Sequence, residues 1–227
     1  MKNKVIAFDA DDTLWHNEHY FQEAENKFKE LLEDYLPQHT VARELLSTEI
    51  ANLPWYGYGI KAFILSMIET AIRITEGNLN AKDINRIIEF GRELLDKPVV
   101  KFEGVEQVLE TLKDKYRLVL ATKGDLLDQE RKLKKSGLAE HFHHIEIMSE
   151  KKKSDFEKLI GHLDITPENF VMVGNSLKSD VLPVLELGGT AFHIPYHVTW
   201  EHERVTHQIE NERFHQIKSL TGLMDYL

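Results

Sequence analysis

Residues 5–14 read Val5-Ile6-Ala7-Phe8-Asp9-Ala10-Asp11-Asp12-Thr13-Leu14, and this stretch decides the fold. A short apolar run ends abruptly in carboxylates. Without polar alternation, such a run suits a strand buried on both faces. In an extended segment Asp9 and Asp11 point the same way, because side-chain direction repeats every two residues. Asp9, Asp11 and Asp12 repel one another unless a cation or partner compensates. Two carboxylates on one side suit a hard divalent cation such as Mg²⁺. They also suit a division of labour, one as nucleophile and one as acid/base. The plainer alternative is a polar turn whose Asp residues cap a helix.

Outward from this stretch the chain divides into two patterns. Residues from about 16 to 97 read as all helix. A first helix from Asn17 to Leu36 carries Phe21, Ala24, Phe28, Leu31, Leu32 and Tyr35 on one face, and Pro37 stops it. Further helices are expected near 41–52, 59–76 and 81–96. The second of these has a wide stripe of Ile60, Phe63, Ile64, Met67, Ile68, Ala71 and Ile72. Beyond Lys97-Pro98 the pattern changes. Short β-rich runs recur at Leu118–Ala121, Ile145–Met148, Phe170–Val173 and Thr190–His193, with helical patterns near 104–115, 125–136, 154–163 and 178–187 between them. Apolar strands alternating with helices indicate an α/β fold with a parallel sheet covered on both faces. The first strand belongs to that sheet, so the helical unit is an insertion. The expected division is 1–15 and 98–227 for the α/β core and 16–97 for the insertion.

In open sheets of this kind ligands lie beyond the carboxyl ends of the strands. Each expected strand end carries a polar cluster. Thr122-Lys123-Gly124 offers a hydroxyl, backbone amides and a following helix start, which suit an anion; it is also an ordinary helix cap. Ser149-Glu150-Lys151-Lys152-Lys153-Ser154 supplies ammonium groups, of which one beside the carboxylates would neutralise charge during group transfer. Gly174-Asn175-Ser176-Leu177-Lys178-Ser179-Asp180 offers an amide oxygen and a carboxylate, both acceptable to Mg²⁺. Four clusters, each ending a different strand, make one site.

These residues resemble the haloacid dehalogenase-like hydrolase superfamily. Asp9, Asp11 and Thr13 match its first motif, and the strand ending in Thr122 matches its second. One of Lys151, Lys152 and Lys153 matches its third, and Gly174-Asn175-Ser176 with Asp180 its fourth. Lys153 is the preferred lysine, because Leu159 and Leu163 then fall at the apolar positions of the family's following helix. The match covers about residues 4–195. The resemblance implies a Rossmann-like core with an inserted all-helical cap of the first type. It implies a Mg²⁺-dependent phosphatase in which Asp9 forms an aspartyl-phosphate and Asp11 is the general acid/base. Thr122, the amide of Lys123 and Lys153 would hold the phosphoryl oxygens. Asp9, the carbonyl of Asp11 and Asn175 would hold Mg²⁺, with Asp180 close by. Asn175 departs from the Asp usual at its position, which removes a negative charge from the metal site. Asp12 reads as structural.

Other readings compete. The dehalogenase branch shares the nucleophile but lacks the second Asp, and Asp11 is present here. A phosphosugar mutase differs mainly in cap residues. A catalytically silent binding module on the hydrolase frame is the non-enzyme alternative, against which the intact set of carboxylates, Thr122 and lysine argues. In the insertion, Trp55, Tyr56 and Tyr58 form an aromatic turn that can stack on a substrate or simply pack on neighbouring helices. His193, His197 and His202 straddle Pro195 and are expected on a rim loop, pairing with local carboxylates. Ile217–Leu227 reads as a short amphipathic helix.

Composition sets the outer bounds. The formal charge is 28 − 38 = −10 over 227 residues, which disfavours a nucleic-acid polymer as partner. The absence of cysteine excludes disulfides, thiolate metal sites and cysteine nucleophiles. No apolar run reaches the roughly 18 residues of a membrane span, so no membrane partner is expected. Carboxylates follow the first apolar residues too soon for a signal-peptide core, so the expected location is cytoplasmic. The expected partner is a small phosphorylated metabolite.

Overall fold

The computed structural model describes residues 4–227. In chain order the elements are β1 (Val5–Phe8), α1 (Glu18–Leu31), α2 (Gln38–Tyr56), α3 (Ile60–Ile74), α4 (Ala81–Asp96), α5 (Val105–Lys113), β2 (Arg117–Lys123), α6 (Leu126–Ser136), β3 (His144–Met148), α7 (Lys153–His162), β4 (Phe170–Gly174), α8 (Leu182–Leu187), β5 (Thr190–His193) and β6 (Phe214–Gln216). The six strands form one sheet in the order β3-β2-β1-β4-β5-β6, all parallel.

The chain divides into two compact units. One comprises the chain up to Glu18, Val99–Lys123 and Gln129–Leu227; the other comprises His19–Pro98 and Gly124–Asp128. In the first unit the central strands are dry on both sides. Ile6, Phe8, Leu118, Leu120, Val171 and Val173 join one buried cluster, while Val5, Ala7, Val119, Ala121, Phe170 and Met172 join another. This alternation is what a strand does when helices cover both faces, and it explains the unbroken apolar runs. The register then aligns the strand ends. Phe8 pairs with Leu120 on one side and Val173 on the other, so Asp9, Thr122 and Gly174 emerge along one edge.

In the second unit, Phe28, Leu32, Val41, Leu45, Phe63, Met67, Ile87 and Phe90 share a buried core. The α3 stripe holds at Ile60, Phe63, Met67 and Ala71, whereas Ile72 lies exposed at 44%. Gly91 lets α4 approach α3 closely: a Cβ there would meet Ile64 at 2.6 Å. Gly124–Asp128 clusters with this unit rather than with the sheet, and Asp125 pairs with Lys61 at 2.7 Å.

Four local expectations need correction. α1 ends at Leu31 rather than Leu36, and Pro37 starts α2 instead of merely ending α1. A sixth strand, β6, was not anticipated; it is a three-residue edge strand with polar residues, too short for periodicity to reveal. The chain end is a 3₁₀ segment, Leu220–Asp225, with Leu220 and Leu223 buried, not an α-helix. The single helix expected at 178–187 is a wide π-type turn, Leu177–Val181, followed by α8. Insertions of that kind recur at functional sites. No described helix is long and apolar enough to cross a membrane.

Candidate active site

Asp9 follows β1 directly, and its amide donates to the Val173 carbonyl at 2.9 Å, which locks it to the end of β4. The chain then turns sharply. Asp12 adopts a left-handed conformation at φ 59°, and its amide donates to the Trp15 carbonyl at 2.7 Å. Asp and Asn tolerate this region better than most residues. The Asp12 carboxylate turns away from Asp9 and accepts from the Asn17 amide at 2.8 Å and the Glu18 amide at 2.9 Å. Asp12 therefore caps the start of α1, as its structural reading required. Burial, with the neighbouring Asp11 charge adding to it, pushes its pKa up to about 7.

The lysine at the carboxylates is Lys151, not Lys153. Its side chain is 1% exposed, and its ammonium bonds Asp9 Oδ1 and donates to Asp180 Oδ1 at 2.6 Å. Lys153 is exposed and begins α7. Leu159 and Leu163 are buried as expected. They fix the face of the helix, but the lysine that reaches the site lies in the extended segment before it. Lys152 completes that lead-in, its amide donating to Asp155 Oδ2 at 3.1 Å to cap the helix.

Burial drives the Asp9 carboxyl up to about 7, against the pull of Lys151. Burial also works against the charged Lys151, but Asp180 and Asp9 outweigh it and hold the ammonium protonated. Asp180 spends both oxygens locally: Oδ1 on Lys151, and Oδ2 on the Ser176 amide at 3.0 Å. It shares Lys151 with Asp9, which keeps it close to the expected metal group. Gly174 makes room for it, since a Cβ there would lie 2.2 Å from Asp180 Oδ2.

Asn175 completes a different group. Its side-chain oxygen faces Asp9 Oδ2 and the Asp11 carbonyl oxygen, each at 3.3 Å. Thr13 Oγ1 stands 3.4 Å from both Asp9 Oδ2 and Asn175 Oδ1, and its one proton serves only one of them. Acceptors facing one another in this way need either an inward-turned amide NH₂ or a cation. An octahedral ion with oxygens at 2.0–2.1 Å separates neighbouring ligands by about 3 Å, so a small closure would fit Mg²⁺. Among the described residues no three Asp, Glu, His or Cys side chains converge as a metal site. The donor set here is mixed: one carboxylate, one main-chain carbonyl and one amide.

The Asp11 side chain points toward α6. Oδ1 accepts from Trp15 Nε1 at 2.7 Å, Oδ2 accepts from Gln129 Nε2 at 2.8 Å, and Lys132 Nζ reaches both oxygens at 2.7 and 2.6 Å. Neither Gln129 nor Lys132 was singled out from sequence. Both sit on the first turns of α6, where a helical face is all that periodicity reports.

Thr122 is buried near the end of β2, as the strand reading placed it. The Lys123 side chain donates to Ser179 Oγ at 2.8 Å and pairs with Glu203 at 2.5 Å. Glu203 Oε2 also accepts from Ser176 Oγ at 2.5 Å and Ser179 Oγ at 2.7 Å. Burial alone would raise the Glu203 pKa, but Lys123 and the serines bring it down to about 2. The histidines do not pair with carboxylates as anticipated. His193 Nε2 bonds the Asn175 carbonyl oxygen at 3.0 Å, and His202 meets Lys178. In the helical unit, Trp55 is 81% exposed at the end of α2, and the Tyr56 hydroxyl donates to Glu69 at 3.4 Å. Tyr58 stands between Gly57 at φ 66° and Gly59 at φ 106°, which confirms a turn there.

A sheet whose strand ends gather a buried lysine, a pair of carboxylates two residues apart and a Gly-Asn-Ser turn defines a class of hydrolase. The family model for haloacid dehalogenase-like hydrolases matches residues 3–188, and the chain belongs to that family. Among solved structures, a haloacid dehalogenase-like family hydrolase of Xanthomonas campestris is 39% identical, with 99% of this chain and 90% of that chain covered and a TM-score of 0.89. A predicted phosphoglycolate phosphatase of Haemophilus somnus is 17% identical over 100% of this chain and 98% of that chain, with a TM-score of 0.63. An L-2-haloacid dehalogenase of Xanthobacter autotrophicus is 13% identical over 97% and 96%, with a TM-score of 0.67. The last two share the fold. No curated protein matches the chain. The protein is thus a hydrolase of this family, and its neighbours include both phosphatases and dehalogenases.

Proposed function

We propose that this enzyme is a Mg²⁺-dependent hydrolase of small phosphomonoesters. The observation that carries the reading is Asp11, a second carboxylate two residues beyond Asp9 and held separately from it by Trp15, Gln129 and Lys132. Ester hydrolysis at phosphorus needs a proton for the leaving oxygen and a base for water. A nucleophilic carboxylate alone supplies neither.

In this account Asp9 attacks phosphorus, the bond to the leaving oxygen breaks, and Asp11 delivers the proton that makes the alcohol. Water then attacks the aspartyl-phosphate while Asp11 takes its proton, which restores Asp9 and releases phosphate. In its observed position Asp11 accepts hydrogen bonds on both oxygens from Trp15, Gln129 and Lys132. Its service as the acid requires it to leave Lys132. Thr122, the Lys123 amide and Lys151 are assigned to the phosphoryl oxygens. Mg²⁺ would be held by Asp9, the Asp11 carbonyl and Asn175, where it would neutralise phosphoryl charge and keep Asp9 ionised. The helical unit, with Trp55, Tyr56 and Tyr58, is assigned to substrate selection, and the cytoplasm to the enzyme's location.

The test is phosphate release from a panel of nucleotide, sugar and small organic phosphates, with Mg²⁺ or with chelator, for wild type and Asp9→Asn. Release by wild type that needs Mg²⁺ and Asp9 supports the proposal. Equal rates for the two proteins, or halide release from 2-haloacids in chelator, would sink it.

A further inference from the structure

One polar cluster is not used by that chemistry. Lys123, Ser176 and Ser179 converge on the Glu203 carboxylate, which takes an ammonium and two hydroxyl donors. Lys123 Nζ and Ser179 Oγ are themselves bonded at 2.8 Å, so the donors form a connected cradle. The Glu203 side chain is 10% exposed and that of Lys123 17%. Each donor is a sequence neighbour of a residue assigned above: Lys123 follows Thr122, Ser176 follows Asn175, and Ser179 precedes Asp180.

Topology places this cradle at the same edge of the sheet as Asp9. Lys123 ends β2, the serines follow β4, and β1 lies between those strands. The bond from Lys123 to Ser179 therefore links the end of β2 to the segment that follows β4, the two strands flanking β1, whose carboxyl end carries Asp9. Lys151 makes a similar link to Asp180. The occupant comes from elsewhere. Glu203 belongs to the 194–213 connection between β5 and β6, 20 residues with only a single 3₁₀ turn at Glu201–Glu203. Connections that long are uncommon in compact domains unless they serve as binding loops or lids.

We propose that Lys123, Ser176 and Ser179 are a second anion subsite beside the phosphoryl pocket, that Glu203 is its built-in occupant, and that substrates carry a carboxylate which takes Glu203's place. The inference rests on the phosphatase reading and narrows it to phosphorylated carboxylic acids. The occupant fixes the choice of group: a cradle that holds one carboxylate by an ammonium and two hydroxyls suits another of the same shape and charge. The strength with which Glu203 is held, with its pKa drawn down to about 2, matches the demand the incoming carboxylate has to meet. Binding then releases the strap as it fills the site, so substrates lacking the second group meet a closed cradle.

The test is calorimetric binding of two non-hydrolysable ligands to the Mg²⁺-loaded enzyme: phosphonoacetate, with a carboxylate, and ethylphosphonate, without one. The expected result is tenfold or greater preference for phosphonoacetate in wild type. Glu203→Gln should widen that ratio at least threefold by removing the competitor, and Lys123→Met should abolish it. Limited proteolysis of wild type supplies a readout free of mutation: phosphonoacetate, but not ethylphosphonate, should expose the 198–208 segment to cleavage. Equal affinity for the two ligands in wild type overturns the subsite while leaving the phosphatase reading intact. Binding of neither ligand overturns both. A Glu203→Gln gain that is the same for both ligands also overturns the subsite, because it reflects general charge alone.

Discussion

Replacing Lys151 by Met removes the one charge that lies between two buried carboxylates. Asp9 and Asp180 have side chains 9% and 1% exposed, and Lys151 bonds both. Methionine matches the lysine stem in volume, so packing changes little and the loss is electrostatic. Breaking a buried pair by deleting one partner costs about 3–5 kcal/mol. Here one cation serves two anions, so the upper half of that range is expected in chelator at pH 7.5. Lys153→Met, on the exposed start of α7, should stay within roughly ±0.5 kcal/mol. The assay is urea unfolding of both variants and wild type. The loss should shrink as pH falls. Two carboxylates left facing each other bind protons more tightly in the fold than in the unfolded chain, so stability rises toward acid. Mg²⁺ should restore part of it by substituting for the missing charge. A Lys151→Met loss under 1 kcal/mol, or one matched by Lys153→Met, refutes the placement of the site lysine.

Further predictions follow from other residues. Asp12 has its pKa raised to about 7 by burial, so the fold binds its proton more tightly than the unfolded chain, and its contribution to stability falls between about pH 4 and 7. Asp12→Asn keeps the Oδ1 acceptor, which both capped amides reach at 2.8 and 3.2 Å, and suits the left-handed turn, so from pH 5 to pH 8 in chelator its stability should gain on wild type by on the order of 2 kcal/mol. An unchanged difference counts against it. Gly174→Ala places a Cβ 2.2 Å from Asp180 Oδ2 and should cost about 1–3 kcal/mol in thermal unfolding, with loss of activity. Lys132→Met should lower kcat about tenfold with little change in KM, as expected when a group that orients an acid/base is removed; a change in KM alone would contradict the role given to it.

The core of the fold was legible because its physics is local. Strands such as Val5–Phe8 and Phe170–Gly174 are dry on both faces, so each announces itself as an apolar run followed by polar residues. That Asp9, Asp11, Asn175 and Asp180 gather at one edge of the sheet was legible because in such sheets ligands bind beyond the carboxyl ends of the strands, and each of these residues follows one. What escaped was whatever depends on which way a side chain turns. Three consecutive lysines differ only in where the extended segment gives way to α7, and no periodicity marks that boundary to one residue. Gln129 and Lys132 reach Asp11 from more than 100 positions away in the chain. Glu203 lies in a long connection without repeating pattern, and nothing in its neighbourhood forecasts that it will meet Lys123. β6 was missed for a related reason: Phe214-His215-Gln216 is an edge strand carried by main-chain pairing to β5, not by an apolar pattern.

The central claim is that Asp9 carries the phosphoryl group, and peptide mass spectrometry after an acid quench in the steady state tests it most directly. With a phosphomonoester and Mg²⁺, a phosphoryl group should appear on the peptide that contains Asp9, and it should vanish in chelator and in Asp9→Asn. Full phosphate release with no phosphoryl group on that peptide would contradict the account.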